Sequence, residues 1–171
     1  PIYVNGQVSF WRHTIDSYFG AYFISLFDMD KDGDLDIISG HSSLAWWEND
    51  GNESFTKHII GEGAYAAFAA DIDADGDIDI IASGGASKIT LWENGGNESF
   101  TKHMVSDDSY YRYSIAVADL DNDGDGDILS SSAWWENDDA NNFTKHPMLS
   151  GGSEEIYPFD IDGDGDIDIL G

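Results

Sequence analysis

The sequence predicts an all-β fold, a β-propeller of four repeats with four-stranded blades, one blade being shared by the two ends of the chain. Three observations predict it. An aspartate-rich loop occurs four times. An aromatic block and an "FTKH"-like block follow each of the first three loops, so the whole unit recurs at roughly 41–48 residues, a period of bladed arrays. The remaining segments are short runs of β-formers punctuated by Gly, Asn and Ser, and no window carries a helical period.

Taken in order, the chain opens in mid-unit. "PIYVNGQVSFWRHTI" (1–15) matches the last two strands of the later units, with Tyr3 in the place of Trp47 and "FWRH" in that of "FTKH". Three full repeats follow at 16–60, 61–105 and 106–148, and a half-unit at 149–171 closes a single domain. Strand 1 of each unit is "AYFISLFD", "AAFAAD", "YSIAVAD" or "IYPFD". The acidic loop comes next, then strand 2 ("LDIIS" in the first repeat). Strand 3 is "AWWEND" (45–50), "TLWENG" (90–95) or "AWWEND" (133–138). A turn leads to strand 4 in "SFTKHII", "SFTKHMV" or "NFTKHPM". The last half-unit holds strands 1 and 2 only, so the two ends complement one another. Pairing them would remove two apolar sheet edges, which are aggregation hazards when left open. That pairing puts Ile169 beside Tyr3, within one chain or between two.

The loops carry the chemistry. "DMDKDGDLD" places Asp28, Asp30, Asp32, Asp34 and Asp36 at loop positions 1, 3, 5, 7 and 9, with Gly33 at position 6. Asp71, Asp73, Asp75, Asp77 and Asp79 repeat the pattern, then Asp119, Asp121, Asp123, Asp125 and Asp127, then Asp160, Asp162, Asp164, Asp166 and Asp168. An all-oxygen Ca²⁺ cage wants carboxylates at such odd positions, a backbone carbonyl at position 7 and a glycine where the loop turns. Four Ca²⁺ ions per chain are expected. An EF-hand would need flanking helices and Glu at position 12, where Ser39, Ala82, Ser130 and Gly171 stand.

Composition agrees. In 171 residues the formal net charge is −27, and twenty of the 34 acidic residues lie in these four loops. Clustered carboxylates repel one another unless a cation is part of the fold. Such acidity excludes a nucleic-acid partner, whose phosphates it would repel. No apolar run is long enough for a membrane-spanning helix. With no cysteine, disulfides do not report the compartment. Weak calcium loops fill outside cells, so an extracellular or cell-surface location is expected. The chain starts at Pro1 without a signal peptide, the expectation being a mature or trimmed product.

The D-x-D-x-D-G-D-x-D loops, with "WWEND" and "FTKH" after them, resemble the FG-GAP/VCBS-type calcium-binding β-propeller repeats of integrin-like heads, lectins and secreted bacterial surface proteins. The resemblance covers nearly the whole chain. It implies a bladed fold with Ca²⁺ held between strands 1 and 2 of each blade. Two departures stand out: four units where about seven blades are usual, and no literal "FG…GAP" signature.

Other residues invite functional readings. The pairs Trp46/Trp47 and Trp134/Trp135 could stack sugars, but in strands packed on both faces they belong to the core. His13, His58, His103 and His146 share one position on the outer strand and cannot converge on a metal; His41 alone breaks the pattern. Asn52, Asn97 and Asn142 head three N-x-Ser/Thr sequons in the strand 3–4 turns, where glycosylation and plain turn chemistry both remain open. The most variable connections run from strand 4 to strand 1 on the face opposite the acidic loops. The longest of them, "SDDSYYRY", offers Tyr110, Tyr111 and Arg112 as ligand-binding candidates.

These readings converge on a calcium-stabilised binding or adhesion module, not an enzyme, that recognises a glycan or a protein through its variable loop face. A structural subunit of a filament, built head to tail by blade completion, is the second reading. Because some proteins with this repeat are lyases, catalysis is a remote third. Outside the calcium loops the sequence offers neither a nucleophile with its base nor an isolated carboxylate pair.

Overall fold

A computed structural model of the chain describes residues 3–4, 7–8, 12–17, 20–84, 88–96, 99–107, 114–138, 142–148 and 155–171, with backbone alone for the first four of these. Every regular element in them is a strand. The first complete sheet is formed by β3 (Phe23–Phe27), β4 (Asp36–Gly40), β5 (Ser43–Asn49) and β6 (Phe55–Glu62). The second contains β7 (Ala64–Ala70), β8 (Asp79–Gly84), β9 (Lys88–Asn94) and β10 (Phe100–Ser106). The third contains β11 (Ile115–Ala118), β12 (Asp127–Ser130), β13 (Ala133–Asn137) and β14 (Phe143–Pro147). Each is an antiparallel meander in chain order, as the repeat predicts.

Equivalent residues keep equivalent partners. Ile37 faces Trp47 across β4 and β5, Ile80 faces Trp92 across β8 and β9, and Ile128 faces Trp135 across β12 and β13. Strand 2 is buried on both faces in every complete sheet, which is why it reads as an unbroken apolar run and does not alternate.

The core lies between sheets, not within one. Met29, Ile38, Leu44 and Trp46 of the first unit pack on Ala64, Ala69, Ile80 and Trp92 of the second. Ile81, Ile89 and Leu91 pack in turn on Ile115, Ile128, Ala133 and Trp135. Side-chain direction follows the two-residue period: on β3, Phe23 and Phe27 face the second sheet, while Ile24 and Leu26 point the other way and are exposed. Glycines allow the sheets to close in. A Cβ on Gly84 would stand 2.3 Å from the Gly63 carbonyl oxygen, and one on Gly61 would strike the Trp92 ring.

Of the tryptophans expected in the core, Trp46, Trp47 and Trp135 are buried and Trp134 is partly so; Trp92 is buried as well. The ends differ from expectation. β1 (Tyr3–Val4) pairs with β2 (Gln7–Val8), and β15 (Tyr157–Phe159) pairs with β16 (Asp168–Leu170), as two separate two-stranded sheets. Ile169 stands opposite Pro158, and Tyr3 opposite Val8. The two halves therefore do not complete one blade among the described residues. Strand 1 of each unit packs on strand 1 of the next, β3 on β7, β7 on β11 and β11 on β15, which places the C-terminal pair beside the third sheet. No helix among the described residues is long and apolar enough to cross a membrane.

Candidate metal centres and ligand face

Each acidic loop joins strand 1 to strand 2, and its backbone is held by its own carboxylates. In the first, Gly33 N–H donates to Asp28 Oδ2 (3.2 Å), Asp32 N–H to Asp30 Oδ1 (3.2 Å) and Asp34 N–H to Asp32 Oδ1 (2.8 Å). The second repeats these bonds with Gly76 on Asp71, Asp75 on Asp73 and Asp77 on Asp75. The third and fourth do the same, with Gly124 on Asp119 and Gly165 on Asp160. Position 4 is left-handed in all four loops, at Lys31, Ala74, Asn122 and Gly163. Only Gly163 takes that conformation without steric cost.

The position-9 carboxylate ties loop to sheet. Asp36 accepts Met29 N–H on Oδ2 (3.0 Å) and Asn49 N–H on Oδ1 (2.8 Å). Asp79 does so with Ile72 and Asn94, and Asp127 with Leu120 and Asn137. All three are buried. The asparagine side chains continue the clamp: Asn94 Nδ2 donates to the Ile78 carbonyl, and Asn137 Nδ2 crosses to the Ile72 carbonyl of the neighbouring unit. Nothing in the sequence analysis singled out these asparagines, although their fixed place after each tryptophan block was the available signal.

The folding of the loops brings carboxylate oxygens together. Asp28, Asp30 and Asp32 form one cluster, Asp71, Asp73 and Asp79 a second, Asp119, Asp121 and Asp127 a third, and Asp160, Asp162 and Asp168 a fourth, each with oxygens within 4.8 Å of one another. The position-7 side chains lie outside these clusters. Asp77 takes an ion pair from Lys31, and Asp166 accepts from Asn122 Nδ2 (3.2 Å), so each bridges to the loop before it. That leaves position 7 its backbone carbonyl, the group an oxygen cage uses there.

The clusters can hold metal ions. Asp28 Oδ1 is buried and has no hydrogen-bond partner among the described residues. Burial, with neighbouring carboxylates adding to it, pushes Asp79 up to about 6 and raises Asp127 and Asp73 as well. A divalent cation relieves both penalties at once, since it supplies the missing partner and favours the charged carboxylates. The donors are oxygens alone, which suits a hard cation such as Ca²⁺ and not a thiolate- or imidazole-seeking metal.

The histidines expected to be structural are engaged locally. His58 Nε2 lies 2.7 Å from Glu48 Oε2 with its ring stacked on Trp46, and His146 repeats this with Glu136 and Trp134. His103 Nε2 is 2.6 Å from Glu93. His13, with Val4 where the others have Glu, reaches Glu53 at 3.8 Å instead. Among the sequons, Asn52 is exposed and donates to the Asp50 carbonyl (2.9 Å), and Asn142 is exposed; Asn97 lies outside the described residues. So do Tyr110, Tyr111 and Arg112.

The opposite face holds a cluster the sequence analysis did not assemble. Tyr22 immediately precedes β3, His41 lies in the β4–β5 turn and Tyr65 is the second residue of β7, all at the strand ends away from the acidic loops. The Tyr22 ring lies 4.7 Å from that of His41 and 5.3 Å from that of Tyr65, centroid to centroid. Tyr22 is 60% exposed. The only signals were "AY" at the start of two strand-1 segments and a histidine out of pattern.

A family model described as an FG-GAP-like repeat matches residues 28–82 and 71–130. No curated protein matches the chain. Among solved structures, the chain is similar to a lectin of Agrocybe aegerita, described as recognising non-reducing terminal N-acetylglucosamine, with a TM-score of 0.62 and 19% identity. The match covers 86% of this chain and 46% of the lectin, so this chain spans less than half of that protein. At that identity the likeness is one of fold, and the fold is propeller-like.

Proposed function

Since the chain belongs to the FG-GAP-like repeat family, we propose that it is an extracellular binding module, stiffened by Ca²⁺ in its acidic loops, that takes a neutral glycan on the face opposite them. The observation that carries this reading is the exposed ring cluster of Tyr22, His41 and Tyr65. Aromatic faces stack on the C–H faces of sugar rings, while the tyrosine hydroxyls and the imidazole supply hydrogen bonds at the rim. The net charge of −27 repels acidic glycans and leaves neutral ones. The metal centres act at a distance, by holding the sheet ends that carry these rings. This is binding, not catalysis.

A glycan panel that includes N-acetylglucosamine-terminated chains, the class named for the Agrocybe aegerita lectin, tests the proposal. Binding is expected in Ca²⁺, and Tyr22→Ala should weaken it by about tenfold, the loss of one ring contact. Binding that survives both Tyr22→Ala and Tyr65→Ala would sink this site. Absence of binding to any neutral glycan would sink the function.

A further inference from the structure

Tyr22 and Tyr65 are one position of the repeat, occupied twice. Each stands six residues before the first aspartate of its loop, in the "GAY" of 20–22 and of 63–65. Adjacent sheets set these two rings side by side, 5.3 Å apart and tilted by 36°. His41 meets Tyr22 as well, at 4.7 Å and 38°, so Tyr22 is shared by both contacts and the three rings form one surface across the seam of the first two sheets. The backbone beneath them is fixed. Tyr22 N–H donates to the Gly40 carbonyl (2.8 Å), and His41 N–H to the Ser43 carbonyl (3.2 Å). At Gly63 the second unit passes so close to the β4–β5 turn that a Cβ would stand 2.0 Å from the His41 carbonyl oxygen. Rings carried on backbone held in this way lose little freedom when a ligand arrives.

Given the glycan reading above, on which this rests, we propose that the ring surface binds a linear neutral glycan through at least two consecutive sugars from within its chain. The length of the surface is one reason. An aromatic ring matches the face of a single pyranose, and three rings in contact offer more than one sugar can cover. Openness is another: Tyr22 is 60% exposed, Tyr65 36%, and His41 is exposed too. A terminal sugar is selected by a concave pocket that buries it and bonds its free hydroxyls. An open surface lets the chain run on past both ends. The tilts between the rings add to this, because successive sugars of an extended glycan are turned about the chain axis and each ring can face a different one.

Calorimetry in Ca²⁺ with neutral oligosaccharides of the cello, chito and manno series, each from monomer to tetramer, tests this. In a series that binds, affinity is expected to rise about tenfold from monomer to dimer, the gain from one further ring contact, and to level off by the tetramer. Methylating the non-reducing end of the tetramer should change its Kd by less than about twofold. Tyr65→Ala, at one end of the row, should cut the gain with length to about threefold or less, with an unchanged circular dichroism spectrum. Equal affinity for monomer and tetramer would overturn the proposal while leaving glycan binding in place. So would loss of binding on methylation, which marks recognition of a chain end. Binding to none of the three series would overturn the glycan reading and this proposal together.

Discussion

Asp79 concentrates the design of a repeat in one side chain. It closes the loop through Ile72 N–H, ties it to the tryptophan strand through Asn94 N–H, and lends an oxygen to the second cluster. Asp79→Ala orphans two amides and removes a ligand. The expected cost is about 2–4 kcal/mol of stability in Ca²⁺, readable as a lower denaturation midpoint. Asp107→Ala, on an exposed residue outside any cluster, should change stability by less than about 0.5 kcal/mol. Equal effects from the two would contradict the assigned role. Asp73→Ala should fall nearer Asp79→Ala than Asp107→Ala, for it too supplies a clustered oxygen.

Between elements, the sheets are joined by packing and by a few directed bonds. Asn137 Nδ2 reaches from the end of β13 to the Ile72 carbonyl in the second acidic loop, so one side chain links two units. Asn137→Ala is expected to cost about 1–3 kcal/mol, the penalty for an unpaired buried carbonyl. Hydrogen exchange at the second loop should rise with it, although the substitution lies in the third unit. Trp46, 1% exposed at the first interface, makes the complementary test. Trp46→Ala should cost about 3–5 kcal/mol through the cavity left between sheets. If Trp134→Ala, on a half-buried ring, cost as much, burial between sheets would not be what holds the array together.

For the molecule as a whole, charge is the governing quantity. At −27, with twenty carboxylates gathered in four loops, the metal-free chain repels itself at each sheet end. Ca²⁺ that binds only the folded state adds about 2.7 kcal/mol per site at a hundredfold excess over Kd. Chelation should therefore lower Tm by about 10 °C or more, and metal analysis of the calcium-loaded protein should approach four ions per chain. Monovalent salt should restore part of that loss in the chelated protein by screening. A preparation with no metal and a Tm indifferent to chelator would end the calcium reading.

The acidic loops and the strand order were legible in the sequence because each is a local property. A ligand cage needs carboxylates two residues apart, and Asp28 to Asp36 state that spacing outright. A meander of short strands needs only periodicity and turns. The tertiary structure alone decided which tryptophans are sealed, since Trp46 and Trp134 occupy the same place in "AWWEND" but only the first is fully covered by a neighbouring sheet. It also gathered Tyr22, His41 and Tyr65 from three separate connections, and it left β1–β2 and β15–β16 as separate two-stranded sheets. Those outcomes depend on which sheet stands beside which, and on what covers the last one. No single repeat contains that information, because every repeat is written in the same residues.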